Sequence, residues 1–283
     1  YHGRSVFMLY VDDGIFAGPD KREITQLIKG LQEEFNVTDE GDLQEYLGVL
    51  VEKQAGGRIK LSQPQLIAES LDDLWFNSRT KPKQTPAPGG QVLTRDVNSA
   101  SMREDFRYRS VIGKANFLEK STRPDVAVAV HQCARFSAHP KQSHADAVRY
   151  FGKYLQGTQG EGIYLDPKTD KSFECWVDAD FLGQYVKGAD DMHLDAMTAK
   201  SRTGFIITYA GCPITWGSKI QREAALSSTE SEYIAMSESF RVLLPMMDLL
   251  EEAKTMGVPM QMGAPAIHCK TFEDNSGALQ LVG

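Results

Sequence analysis

The amino-acid sequence predicts an α/β protein, on three observations. Short apolar runs of strand length alternate with stretches whose apolar residues recur at helical spacing. The chain has 283 residues, 41% of them hydrophobic and 24% charged, enough for more than one core and too apolar for wholesale disorder. A segment rich in proline and glycine, 77–104, separates one mixed unit from the rest of the chain.

The elements come in this order. In "VFMLYVDDGIFAG", residues 6–18, the runs Val6–Val11 and Ile15–Ala17 flank Asp12-Asp13-Gly14, which supplies the chemistry of a hairpin turn. Asp20 and Glu23 then open a helix in a capping-box-like start, with Ile24, Leu27, Ile28, Leu31 and Phe35 along one face. "YLGVLVEKQAGGRIKLSQ" reads as two strands around Gly56-Gly57, followed by a short helix near Gln65–Trp75, so residues 1–76 form a β-α-β-β-α unit. The stretch 77–104, with Pro82, Pro86, Pro88 and Gly89-Gly90, is a linker or an extended connection. Residues 105–157 are helical in pattern, and Pro124 and Pro140 mark helix starts. From 160 to 283 the pattern is three strands ("FECWVDADF", "TGFIITYAG", "CPITWGSK"), then a long helix over Ser228–Met256 that Pro245 should kink. A fourth strand, "AIHCKTFEDN", and the start of a further helix, "SGALQLVG", complete a second α/β unit.

The four cysteines (Cys133, Cys175, Cys212, Cys269) are widely spaced and form no CxxC pair, which suits a reducing compartment and offers no zinc or disulfide framework. His139 and His144 have no second pair nearby and read as surface residues. There is no signal peptide and no apolar run of membrane length, so the expectation is a cytosolic or nuclear protein, not a secreted one. The first residue is Tyr1, as in a piece of a longer translation product. Net charge is −7 but unevenly spread. Residues 101–157 carry ten basic and five acidic side chains, between acidic flanks. Such a stretch could track a phosphate backbone; a solvated helix surface accounts for it equally well on charge alone.

Two sets of acids are candidate sites. A plain turn explains Asp12 and Asp13 through local hydrogen bonds. A cation explains them too, because neighbouring carboxylates beside apolar strands repel, and carboxylate oxygens hold hard ions such as magnesium. Asp178 lies in the first strand of the second unit, Glu232 one turn into its long helix, and Asp274 at the close of its fourth strand. Each alone reads as a cap or helix-dipole partner. Together they could converge at one sheet edge, the arrangement that phosphodiester chemistry needs to hold two divalent ions about 4 Å apart.

The order of motifs resembles the pol polyprotein of copia-type LTR retrotransposons over nearly the whole chain. "YVDD" resembles the metal-binding hairpin of a reverse transcriptase palm. "YLGVLVEKQAGGRIKLSQ" is similar to the family segment after that hairpin, and "YRSVIGKANFLEKSTRPDVAVAV" and "VRYFGKYLQGT" to the thumb-side segments. "VDADFLG", "SRTGFIITYAGCPITWGSK", "ALSSTESEYIAMSE" and "FEDNSGAL" resemble the ribonuclease H domain, in the family's order. The resemblance implies the C-terminal part of a palm (1–76), a linker (77–104), a helical thumb or connection (105–157) and a ribonuclease H-like mixed sheet with helices (160–283). It implies that Asp12 and Asp13 bind polymerase metals. It likewise implies that Asp178, Glu232 and Asp274 bind the magnesium or manganese that serves cleavage of RNA in an RNA–DNA hybrid. Arg107, Arg109, Lys114 and Arg123 of the basic segment would touch the hybrid or primer-template backbone.

Further partners implied are the rest of the polyprotein, deoxynucleotides in the full-length protein only, and no membrane. The setting implied is a cytoplasmic virus-like particle or the nucleus. The family's third palm aspartate lies upstream of YVDD and its last ribonuclease H acid comes after the final helix, so both sites are expected to be incomplete here, and the last domain truncated. The acids Asp190, Asp191 and Asp195 read as a solvated loop. The alternative is an inactive remnant of a decayed element that binds nucleic acid weakly at most. A host protein reusing the fold as a scaffold is a third reading.

Overall fold

The structure, a computed structural model, describes residues 5–89, 92–103, 105–168, 170–183, 185, 196–258 and 267–282. Asp190, Asp191 and Asp195 lie outside the described residues. The apolar runs at the front pair as an antiparallel hairpin, β1 (Val6–Tyr10) and β2 (Asp13–Ala17). Tyr10 stands opposite Asp13, so the two-residue loop is Val11-Asp12 rather than Asp-Asp-Gly. The left-handed conformation falls on Val11 (φ 57°), a strained place for a β-branched residue. Gly14 serves packing instead: a Cβ there would lie 2.6 Å from the Phe7 ring, which stacks on Phe16.

Asp20 caps α1 (Lys21–Glu34) by accepting the Arg22 N–H at 2.8 Å. β3 (Glu45–Tyr46), β4 (Val49–Lys53) and β5 (Ile59–Ser62) come next as an antiparallel set. Gly56 and Gly57 make the β4–β5 turn at φ 79° and 82°, where a side chain would be strained. After β5 the chain enters α2 (Pro64–Asp73), with proline at its first position.

The proline-rich stretch makes contacts with the helices that follow it. The Lys83 N–H donates to the Lys153 carbonyl, the Gln142 N–H to the Ala100 carbonyl, and Leu93 is buried. It lies along a helical layer of α3 (Tyr108–Ser121), α4 (Ala127–Ala134) and α5 (Gln142–Gly157). Pro124 opens a short 3-10 turn that runs into α4. The apolar stripes of α2, α3, α4 and α5 meet in a core that includes Ile67, Leu118, Val130, Phe151 and Leu155. His144 is a correction to the sequence reading. It is buried and stacked on Phe136, its Nδ1 accepts the Lys141 N–H, and its Nε2 therefore donates to the Thr94 carbonyl at 2.7 Å. Burial lowers its pKa, which keeps the ring neutral.

β6 (Gly162–Leu165) pairs with β5, giving a four-stranded sheet of order β3-β4-β5-β6. The chain thus returns to the first unit inside a stretch that the sequence reading assigns to the second. β7 (Phe173–Asp180), β8 (Arg202–Tyr209) and β9 (Cys212–Ile220) form an antiparallel meander, followed by α6 (Ser228–Thr255). α6 continues through Pro245, whose missing N–H leaves the Arg241 carbonyl without its intrahelical donor. β10 (Cys269–Phe272) joins β7 in parallel and leads into α7 (Ser276–Val282); the sheet order is β10-β7-β8-β9. β7 alternates cleanly: Phe173, Cys175, Val177 and Ala179 are buried in the core beneath α6, while Trp176, Asp178 and Asp180 are exposed. The helical layer and this sheet are tied by the Trp216 indole, whose N–H donates to the Glu119 carbonyl at 2.7 Å. The architecture is α/β, as the sequence predicts.

Candidate metal centre

Three elements deliver one acid each to the same place. The period-2 alternation of β7 turns Asp178 away from the core. β10 runs parallel to β7 with Phe272 opposite Trp176, and two further residues along that register set Asp274 beside Asp178. α6 begins at the Ser227 cap, whose hydroxyl accepts the Glu230 N–H at 3.1 Å, and its next turn carries Glu232 over the end of β7. Oxygen atoms of Asp178, Glu232 and Asp274 all lie within 4.8 Å of one another. Opposite ligands of a magnesium octahedron are about 4 Å apart, so small side-chain adjustments would let one ion touch all three.

Glu232 is 6% exposed, and its Oε2 atom has no hydrogen-bond partner. Burial, then the charges of Glu273, Asp178 and Asp274, push its pKa up to about 7, against a hydrogen bond from the Ala179 N–H. A buried carboxylate oxygen without a donor, facing like charges, is an unstable arrangement that a cation relieves. The all-oxygen donor set fits a hard divalent ion such as magnesium or manganese.

The platform is firm. The Asn275 side chain accepts the Ala278 N–H at the start of α7 and contacts Thr229 Oγ1 of α6, pinning the loop of Asp274 to the helix of Glu232. A cavity of about 490 Å³ reaches Asp178 from between α4 and the sheet, with Trp176, Arg202 and Trp216 on its walls. Glu273 is an acid that the sequence reading does not single out. Its pKa is raised by burial first and by Asp274 and Asp178 next, and its Oε2 is buried without a partner. The signal lies in the adjacent acids of "FEDN", the same feature that singles out Asp12-Asp13.

The other candidates are placed differently. Asp12 and Asp13 are exposed at the hairpin tip, and the Asp13 carbonyl accepts from Tyr46 Oη at 3.3 Å. Among the described residues no third acid joins them; the one group of three possible ligands is Asp178, Glu232 and Asp274. Arg107 is exposed. Arg109 is exposed as well and donates to the carbonyls of Ser137 and Ala138. Lys114 is half-buried between Asp73 (3.0 Å) and Glu69 (3.7 Å). Arg123 is 1% exposed, gripping Asp125 through two hydrogen bonds and Thr158 through two more, with the Tyr154 ring 5.5 Å away. Arg123 is therefore an internal clamp, withdrawn from any backbone that approaches the surface, which corrects the sequence reading at that position.

Residues 1–87 match the family described as reverse transcriptase (RNA-dependent DNA polymerase). The chain is 32% identical over 254 residues to the retrovirus-related Pol polyprotein from transposon TNT 1-94 of Nicotiana tabacum, 87% of this chain and 18% of that one. It is 29% identical over 286 residues to the Pol polyprotein from transposon RE1 of Arabidopsis thaliana, 99% and 18% of the two chains. The Pol polyprotein from transposon RE2 of the same plant is 30% identical over 282 residues, with the same two shares. The chain belongs to the copia-type retrotransposon Pol family. It spans 18% of the length of these Pol polyproteins. The likeness to the two Arabidopsis Pol polyproteins runs through the three-acid cluster as well as the hairpin, since it covers 99% of the chain. No solved structure matches this Pol segment. Among its described residues no helix is long and apolar enough to cross a membrane.

Proposed function

We propose that this Pol segment serves RNA-directed DNA synthesis by a retrotransposon and that its own chemistry is metal-dependent cleavage of the RNA strand in RNA–DNA hybrids. The observation that carries the reading is the convergence of Asp178, Glu232 and Asp274 with an unpartnered, buried Glu232 oxygen. Magnesium or manganese, when bound, supplies Lewis acidity toward a phosphodiester. Glu232 holds the inner side of the centre, and the exposed Asp178 and Asp274 hold the side open to substrate. Arg107 and Arg109 remain available to the hybrid backbone, whereas Lys114 and Arg123 are engaged by acids of the chain itself. On this reading 160–283, apart from β6, which pairs with β5 of the first unit, is the ribonuclease H-like domain, 105–157 the thumb or connection, 77–104 the connection before it, and 1–76 the palm part. Asp12 and Asp13 then serve the polymerase of the larger protein, together with the rest of Pol, in a cytoplasmic particle or the nucleus.

The test is incubation of the chain with a hybrid labelled on its RNA strand, with manganese and with magnesium. The reading expects cleavage of the RNA strand alone, abolished in Asp178→Asn; cleavage that survives the substitution, or none from a folded protein that binds the hybrid, counts against it.

A further inference from the structure

A glycine that the fold does not require lies at the centre of the sheet face opposite α6. Gly204 stands inside β8 with φ outside the left-handed region. A Cβ there would meet nothing closer than the Asp178 carbonyl at 3.7 Å. Glycine weakens a strand interior, and one that neither a turn nor packing demands commonly marks close approach by a ligand or another backbone. The register sets its surroundings. Asp178 and Ser218 flank it on the neighbouring strands, and one row along, Trp176 and Trp216 flank Ile206. In the row on the other side Arg202 stands beside Asp180. Directly paired residues point to the same face of a sheet, so these side chains ring the hollow over Gly204. The hollow is part of the cavity of about 490 Å³, which α4 borders with Ala127 and Val128. Arg202, on its wall, is more than nine-tenths buried. Its Nη1 donates to Ser218 Oγ at 3.2 Å, and its Nη2 has no partner among the described residues.

We propose that this cavity receives an unpaired nucleobase that bears a ring carbonyl, its ring against the aromatic wall of Trp176 and Trp216 and its carbonyl on Arg202 Nη2. Aromatic side chains stack on the faces of bases, and a guanidinium N–H pairs with a carbonyl on a base edge. A buried donor without an acceptor is costly, and the carbonyl supplies the acceptor that Nη2 lacks. The exposed Asp178 and Asp180 on the same wall repel a small anion, so a neutral ring fits the cavity better than a lone phosphate or carboxylate. The choice of a nucleic-acid base rests on the reading of the neighbouring acids as a nuclease centre; the cavity itself does not. The same ring chemistry is offered by an unpaired base of a strand and by a free nucleoside, and the test separates these sources.

The experiment is tryptophan fluorescence of the folded chain in EDTA, titrated with inosine, adenosine, uridine and a single-stranded uridine hexamer. Inosine and adenosine carry a carbonyl and an amino group at the same ring position. The proposal expects saturable quenching by inosine and weaker binding of adenosine. Gly204→Val fills the hollow with a good strand former, so it should abolish the quenching while melting at or above the parent. Gly204→Ala, with one methyl group in the hollow, should weaken it. Arg202→Met should weaken inosine about tenfold, as for loss of a hydrogen bond to a charged group, and erase the preference over adenosine. A hexamer that binds more tightly than uridine, by a margin that Gly204→Val removes, assigns the cavity to a strand; equal affinity assigns it to free nucleosides. No saturable quenching by inosine or the hexamer, or quenching that a folded Gly204→Val leaves unchanged, overturns the proposal. Since EDTA keeps metal out, that failure leaves the three-acid centre standing, and loss of the centre's metal response leaves the cavity's result standing.

Discussion

Replacing Glu232 by Gln tests the electrostatics of the centre without relying on any activity. The Glu232 carboxyl is raised from its ordinary 4.5 to about 7, by burial first and by Glu273, Asp178 and Asp274 next. An acid whose folded-state pKa lies above its unfolded value binds more protons when folded, so stability falls as pH rises between the two values. The penalty is absent below about pH 4.5 and complete above about pH 7. Its size, at 1.36 kcal/mol per pH unit over that window, is roughly 3 kcal/mol. Glu232→Gln removes it while leaving an acceptor for the Ala179 N–H. At pH 8 with a chelator present, the variant should melt roughly 6–12 °C above the parent, on about 2–4 °C per kcal/mol for a chain of this size class. At pH 4.5 the two should melt together. The assay is thermal unfolding by circular dichroism from pH 4.5 to 8.5 in EDTA. Parallel pH profiles for parent and variant would refute the reasoning, because Glu232 would then carry no charge penalty in the folded state.

Arg123→Met should destabilise the chain by about 3 kcal/mol, since it abandons Asp125 and both hydrogen bonds to Thr158, yet leave the salt dependence of hybrid binding unchanged; a smaller salt slope in anisotropy titrations would return Arg123 to the interface. Charge reversal at Arg107 and Arg109 together should lower that slope by about 0.7–0.9 for each phosphate that is no longer neutralised; an unaltered slope would move the footprint elsewhere. The 283-residue chain should not extend a primer on an RNA template, because Asp12 and Asp13 gather no third acid among the described residues; extension that Asp12→Asn abolishes would contradict this.

Much of the second sheet is legible in the sequence because its signals are local. The alternation Phe173, Cys175, Val177, Ala179 against Trp176, Asp178, Asp180 declares a strand with one buried face, and Asp178 on the other face is a consequence of it. The convergence of Asp178, Glu232 and Asp274 is legible only as a possibility, since it depends on the parallel β7–β10 register and on where α6 crosses, neither of which is written in local spacing. β6 escapes the sequence reading for the same reason: four residues, Gly162–Leu165, find their partner in β5, far earlier in the chain. Arg123 and His144 carry polar side chains whose burial depends on partners brought in by tertiary contact, Thr158 for one and the Thr94 carbonyl for the other. The hairpin loop falls one residue earlier than Asp-Asp-Gly suggests, although that tripeptide is good turn chemistry. Packing of Phe7 over Gly14 puts the glycine in the strand and leaves Val11 to take the positive φ.

The central claim is that Asp178, Glu232 and Asp274 together bind a divalent cation. The most direct measurement is the melting temperature of the parent and of Asp178→Asn at about pH 7.5, each with and without a large excess of manganese. A ligand of the folded state at about 100 times its dissociation constant contributes about 2.7 kcal/mol, so the parent should rise by several degrees. The account predicts that rise in the parent and none in Asp178→Asn. An equal rise in both proteins would contradict it.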